Sequence, residues 1–284
     1  MAAKDSFFYQ KNTLNINGKL LDLHTPKIMG IVNVTPDSFF DGGNLNSDSE
    51  ILRYTEKILS EGADIIDVGG YSSRPGSSNV GQDEELKRVI PAIKIIKTRF
   101  PDSIISIDTF RSDVARASFD VGADMVNDIS GGSDEKMFAT VAENKMPYIF
   151  MHMIGTPEKS HSETGYNDLF GEMMNYFKTR VETLSMLGFN DIIIDPGIGF
   201  SKSIEQNYEI LRNLDYFKAL NLPLLVGVSR KSLIHKVLSL SPEEALNGTT
   251  VLNTIALLKG AAILRVHDII EAKQTVELIK RLNN

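Results

Sequence analysis

The chain has 284 residues, 42% of them hydrophobic, with a formal net charge of −7 and a pI near 5.3. That suffices for one large α/β domain and supplies no basic stripe to neutralise a nucleic-acid backbone. Cysteine is absent, which excludes disulfides and thiolate chemistry and fits a reducing compartment.

In chain order, residues 14–23 (LNINGKLLDL) alternate apolar and polar around Asn17-Gly18. That dipeptide accepts the positive φ angles of a type I′ turn, so a β-hairpin is expected, placed to cover the bottom of the domain. From residue 28 onward, short Ile- and Val-rich runs alternate with stretches of helical periodicity. Strands are expected near 28–33, 63–68, 103–108, 124–128, 147–152, 191–195, 223–228 and 261–266. Helices are expected near 49–61, 84–99, 111–121, 134–144, 167–187, 204–219, 230–237 with 243–259, and 268–282, with Pro91 kinking the second. Eight βα units predict a (β/α)8 TIM barrel of parallel strands, with its chemistry at the carboxyl ends of the strands. No linker or charge run divides the chain, so the expected organisation is an N-terminal β-hairpin extension over 1–26 and one barrel over 27–284. The start, MAAKDSFFYQKNTLNING, lacks the apolar core of a signal peptide. The longest apolar stretch, Ile255 to Val266, contains Lys259 and Arg265 and is too short to span a bilayer. A cytoplasmic protein acting on small molecules is expected.

Two strand-to-helix connections are longer and richer in glycine than packing requires, Asn33 to Gly43 and Gly69 to Gly76. Each carries hydroxyl, amide or charged groups beside a strand end, as lids over a catalytic face do.

The strand ends carry the polar residues. Asp108 and Asp195 each close an Ile-rich strand, and Asn127 closes the strand between them. Singly, Asp108 fits an N-cap for the helix starting near Arg111, and Asp195 a turn residue before Pro196-Gly197. Together, two carboxylates and an amide facing one cavity suit a heterocycle with an amidine-like edge. A ligand lacking those donors would leave a desolvated acceptor, at a cost of about 1–3 kcal/mol. Ser229 and Lys231 lie in Gly227-Val-Ser-Arg-Lys-Ser232 at a strand-to-helix junction, where backbone N–H groups favour anions or carbonyl oxygens. A lysine in a first helical turn opposes the dipole, which tilts Lys231 toward function; a Schiff-base aldolase stays open on this ground. Arg265 and His267 are two apart on the last strand and face the same opening, where barrels commonly hold phosphate. A guanidinium at 4 Å from a phosphate oxygen gains about 4 kcal/mol at an effective dielectric of 20. Asn33, next door once the barrel closes, is a weak lone ligand for Mg2+ and suggests a metal shared with substrate phosphates. No His/Cys/carboxylate cluster has zinc spacing; His24, His161 and His235 read as surface or packing residues, and His152 as structural. No GxxxxGK[ST] loop is present.

GIVNVTPDSFFDGG, DVGGYSSRPGS, ISIDTFR, VNDISGG, FMHMIGTP, DIIIDPGIGF, VGVSRKS and RVHD, taken in this order from Ile28 onward, closely resemble the dihydropteroate synthase family. The resemblance implies condensation of 6-hydroxymethyl-7,8-dihydropterin pyrophosphate with 4-aminobenzoate, giving 7,8-dihydropteroate and pyrophosphate in folate biosynthesis, by a barrel enzyme that is a homodimer and a sulfonamide target. It implies pterin binding by Asp108, Asn127, Asp195 and Lys231, and anion binding by Arg265 and His267, with Asn33 assisting through Mg2+. Ser229, Phe200, Ser73 and Arg74 would line or close the aminobenzoate site, and Lys231, Arg265, His267 and Arg74 would carry the catalysis.

The family's second loop usually reads GGESTRPG; here Tyr71 and Ser73 replace the carboxylate and the threonine, and after Phe200 the chain reads SKS where GKT is common. Tyr71 is expected to alter lid closure or aminobenzoate affinity. Two rivals remain: a pterin-binding methyltransferase barrel, which needs neither the SRKS lysine nor the RVH clamp, and a non-catalytic pterin-binding relative, favoured by Tyr71 alone.

Overall fold

The computed structural model describes residues 11–35, 47–71, 80–156 and 165–282. The first two strands, β1 (Thr13–Ile16) and β2 (Lys19–Asp22), form the expected hairpin, with Asn17 and Gly18 both at positive φ in the turn. Leu14, Ile16 and Leu23 are buried against Met29, Ile65, Met125, Ile149, Ile193, Leu225 and Ile263. The hairpin therefore caps the amino-terminal end of the barrel.

The barrel strands are β3 (Lys27–Asn33), β4 (Ile65–Gly69), β5 (Ile104–Asp108), β6 (Met125–Asp128), β7 (Tyr148–Met151), β8 (Ile192–Asp195), β9 (Leu225–Val226) and β10 (Ile263–Val266). All pair in parallel, in the order β8-β7-β6-β5-β4-β3-β10-β9, and a parallel bridge between Ile194 and Leu224 joins the two ends of that sheet. The helices are α1 (Asp48–Ser60), α2 (Gln82–Arg99), α3 (Ser112–Asp120), α4 (Met137–Asn144), α5 (Leu169–Met186), α6 (Ile204–Arg212), α7 (Ser232–Leu238), α8 (Leu246–Leu258) and α9 (Ile269–Leu282). Their apolar faces cover the outward side chains of the strands, such as Ile28, Val68, Ile107, Val126, Phe150 and Ile194. The fold is the predicted TIM barrel with its hairpin.

Three boundaries depart from expectation. The helix expected over 204–219 stops at Asn213, whose φ of −117° leaves the helical region, and a 3-10 segment (Leu214–Leu220) follows. The strand expected over 223–228 is regular only at Leu225–Val226, extended by the bridge at Leu224. The segment at 243 opens with a 3-10 turn, Glu243–Ala245, before α8. α2 runs through Pro91 from Gln82 to Arg99. Among the described residues no helix is long and apolar enough to cross a membrane.

Side-chain alternation along parallel strands sets what faces the barrel axis. The apolar layer above the hairpin is Met29, Ile65, Met125, Ile149, Ile193, Leu225 and Ile263. Two residues further along the same strands come Ile31, Asp67, Asn127, Met151, Asp195, Gly227 and Arg265. The axis thus turns from apolar to polar within one pleat, and the site begins there.

Candidate active site

Arg265 on β10 organises the polar layer. Its Nε donates to Asp67 Oδ2 at 2.6 Å and its Nη2 to Asp108 Oδ2 at 2.6 Å. Asn127 Nδ2 donates to the same Asp67 oxygen at 3.1 Å. Asp67 is fully buried and Asn127 nearly so. Burial and the neighbouring Asp67 charge push Asp108 up to about 7 against the pull of Arg265. Those two carboxylates in turn hold the Arg265 guanidinium protonated. Asp108 does not cap α3: the N-cap is Arg111 without a side-chain bond, and Ser112 N–H donates instead to Asp134.

The opposite wall is built by residues 195–202 and by Lys231. Asp195, buried, accepts the Gly197 N–H at 2.7 Å, so it does close a turn as well as face the pocket. Its carboxyl is raised by burial, with Lys231 opposing the shift. Lys231 Nζ donates to the Ile198 carbonyl at 2.5 Å and sits 4.6 Å from the centre of the Phe200 ring. Burial lowers its pKa to about 8, against the pull of Asp195. Gly199, at φ +87°, is required here, because a Cβ would meet Lys231 Cδ at 2.9 Å. At the last strand, Ser229 Oγ lies 3.1 Å from His267 Nδ1 and accepts the His267 backbone N–H at 3.3 Å.

Asn33 ends β3 beside Gly69. A Cβ at Gly69 would stand 3.3 Å from Asn33 Oδ1 and 3.6 Å from Asp108 Oδ2, so the glycine keeps the space between those oxygens open. No group of three His, Cys, Asp or Glu able to hold a metal occurs among the described residues. The donor set therefore fits a hard cation only if substrate oxygens and water complete its shell.

The described residues thus bring together Asp108, Asn127, Asp195, Lys231, Arg265, Ser229, His267, Phe200 and Asn33 at one end of the barrel. Ser73 and Arg74 lie outside the described residues, as do most of both expected lids. Tyr71, at the start of the second, packs edge-on to Phe110 (5.1 Å between centroids), with the Arg111 guanidinium 5.7 Å from its ring. Arg111 is itself paired with buried Glu85. His152 is buried, held neutral by desolvation that lowers it to about 2, and packs edge-on to Tyr176. His24 is exposed beside Asp22; His161 falls outside the described residues.

Two residues at the site have no role assigned from the sequence. Asp67 ends the run ADIIDVGG just as Asp108 and Asp195 end theirs, and that placement groups it with the strand-end residues without giving it a part in the chemistry. Lys202 is buried, and its ammonium donates to the carbonyls of His152 (3.1 Å), Gly197 (3.1 Å) and Phe200 (2.9 Å). Burial lowers it to about 7. A lysine following a loop serine carries no pattern that distinguishes it from a solvated one.

The chain matches the sequence profile of the family described as pterin binding enzyme over residues 29–267. It is 43% identical over 265 residues to the dihydropteroate synthase of Escherichia coli K12, covering 93% of each chain. Among solved structures, the Yersinia pestis dihydropteroate synthase in complex with a sulfonamide drug superposes with a TM-score of 0.91 at 37% identity, over 95% of this chain and 99% of that one. The Xanthomonas albilineans dihydropteroate synthase bound to 4-aminobenzoic acid superposes with a TM-score of 0.88 at 34% identity, over 96% and 98%.

Proposed function

The chain belongs to the dihydropteroate synthase family, and from that membership and the strand-end geometry we infer how its residues carry the reaction. The enzyme is a transferase of folate biosynthesis, joining 6-hydroxymethyl-7,8-dihydropterin pyrophosphate to 4-aminobenzoate to give 7,8-dihydropteroate and pyrophosphate. The observation that carries the residue assignment is the convergence of Asp108, Asn127, Asp195 and Lys231 around one barrel mouth, with Arg265 between them.

In this reading Asp108, Asn127 and Asp195 accept the ring N–H and amino donors of the pterin, and Lys231 donates to a ring acceptor in place of the Ile198 carbonyl. Arg265 and His267 face the pyrophosphate. The bond between the exocyclic CH2 and the pyrophosphate oxygen breaks first, its electron pair leaving with the oxygen. The pterin ring stabilises the resulting cation while Arg265 and His267 take up charge on the leaving group. The amine lone pair of 4-aminobenzoate then forms the new C–N bond, and its proton passes to solvent. No strong base is needed, consistent with the lack of a general-base dyad among the residues named. Phe200 and Ser229, with Ser73 and Arg74 of the second loop, would bound the aminobenzoate site, where a sulfonamide, the class of drug in the Yersinia complex, would compete.

Asn33 Oδ1, with substrate oxygens and water, would hold Mg2+ beside the leaving group. Bound there, the ion neutralises pyrophosphate charge. The proposal also includes a homodimer, supported by apolar side chains exposed on α7 and α8, namely Val237, Leu238, Val251 and Leu258. It places the enzyme in the cytoplasm, as the sequence leads one to expect.

The test is direct. Purified protein with both substrates and Mg2+ should form dihydropteroate, detected by mass spectrometry, and chelation by EDTA should suppress it. Saturable pterin binding without product would instead support the non-catalytic reading.

A further inference from the structure

Asp67 and Glu85 are fully buried carboxylates that each leave one oxygen without a hydrogen-bond partner among the described residues, and of the two it is Asp67 that bonds to residues of the site. Its Oδ2 accepts from Arg265 and Asn127, while its Oδ1 is buried and has no hydrogen-bond partner among the described residues. A carboxylate out of water with one oxygen unsatisfied costs stability. A carboxylate that holds the fold looks different in the same molecule. Asp128, equally buried, accepts from the Ser130 N–H and hydroxyl at one oxygen, and from Gly132 N–H and the Tyr148 hydroxyl at the other. Asp67 caps no described helix and bonds to no loop; both of its partners are pocket residues.

We propose that Asp67 is a positioning residue of the pterin site, fixing through one oxygen both the guanidinium plane of Arg265 and the amide sense of Asn127. With Nδ2 held by Asp67, Asn127 offers its Oδ1 to the ring as an acceptor. With Nε held by Asp67, Arg265 keeps its Nη groups for Asp108 and the leaving anion. A planar guanidinium anchored along one edge presents the other in a fixed direction, which a freely rotating one does not. The buried charge of Asp67 is then retained for orientation and not for stability. The inference rests on the residue assignment given for the synthase reaction.

The experiment is steady-state kinetics of Asp67→Asn beside the parent, with folding checked by circular dichroism. The asparagine keeps the size of the side chain and loses the charge that holds both partners. The KM for the pterin substrate should rise and kcat should fall, each about tenfold or more, with the KM for 4-aminobenzoate unchanged. Because Asp67 acts partly through Arg265, the double variant with Arg265→Gln should lose less than the two single losses combined. Parent constants in a folded Asp67→Asn, or losses that simply add, would overturn the role.

If Asp67→Asn does not fold, the parent itself decides the matter. With 15N-arginine labelling, and the signal assigned by its loss in Arg265→Lys, the Arg265 Nε–H should stay protected from exchange when pyrophosphate is added. Rapid exchange in the complex would overturn the proposal. A parent that makes no dihydropteroate would sink the functional reading and this one with it. An active parent beside an unaffected variant would sink the positioning role alone.

Discussion

Arg265 and Asp108 meet across the barrel mouth, with Nη2 to Oδ2 at 2.6 Å. The residue assigned to the leaving group thus binds the residue assigned to the ring. An incoming pterin must either share Asp108 with the guanidinium or take its place, so ring recognition and anion capture are coupled in one ion pair.

The first prediction concerns Arg265. Replacing it with glutamine removes the charge that takes up electron density on the departing pyrophosphate. That should lower kcat by roughly 10²–10³, while the KM for 4-aminobenzoate stays near the parent value. Steady-state kinetics with each substrate varied in turn distinguishes this from a general loss of structure, which would raise both KM values.

Asp108 gives a pH dependence. Its carboxyl is raised from near 3.8 to about 7, mainly by burial. As pH falls below about 7 it takes a proton and loses an acceptor, so the KM for the pterin substrate should rise between pH 8 and pH 6. Asp108→Asn should show a high KM that no longer follows this rise. The stability effect runs the other way. The folded protein binds more protons than the unfolded one between about 4 and 7, so this group's contribution falls as pH rises through that window. Asp108→Asn should therefore melt no lower than the parent at pH 8. A clear drop in its Tm there would mean that the ion pair with Arg265 outweighs the burial cost.

Lys202 should matter for stability. Lys202→Met keeps the chain length and strips the carbonyls of His152 and Phe200 of the ammonium, while the Gly197 carbonyl keeps the Phe200 N–H. Each carbonyl left unsatisfied costs about 1–3 kcal/mol, partly offset because the lysine's own burial opposes its charge. Urea unfolding should show a loss of about 2 kcal/mol or more. An unchanged midpoint would place no weight on the Lys202 clamp.

The barrel is legible in the sequence because each strand is a short Ile/Val run that must be buried on both faces, and because Asn17-Gly18 permits one hairpin geometry. A helix over 204–219 is expected because the apolar period continues through Leu214 and Phe217, and the structure buries both from a 3-10 segment instead. At the site, Asp108, Asn127 and Asp195 stand out by their position at strand ends. Asp67 stands out by the same position but its role is not legible, since that role lies in Arg265, which is 198 residues away in sequence. Lys202 is illegible for a related reason: its role is set by backbone carbonyls, and any sequence supplies those.

The most direct test of the central claim is pyrophosphate release by the purified protein with dihydropterin pyrophosphate and Mg2+, with and without 4-aminobenzoate, in the parent and in Lys231→Ala. The account predicts release coupled to dihydropteroate when the amine is present, and strong suppression of both in Lys231→Ala. Pterin binding with no pyrophosphate released under either condition, or a Lys231→Ala variant as active as the parent, would contradict it.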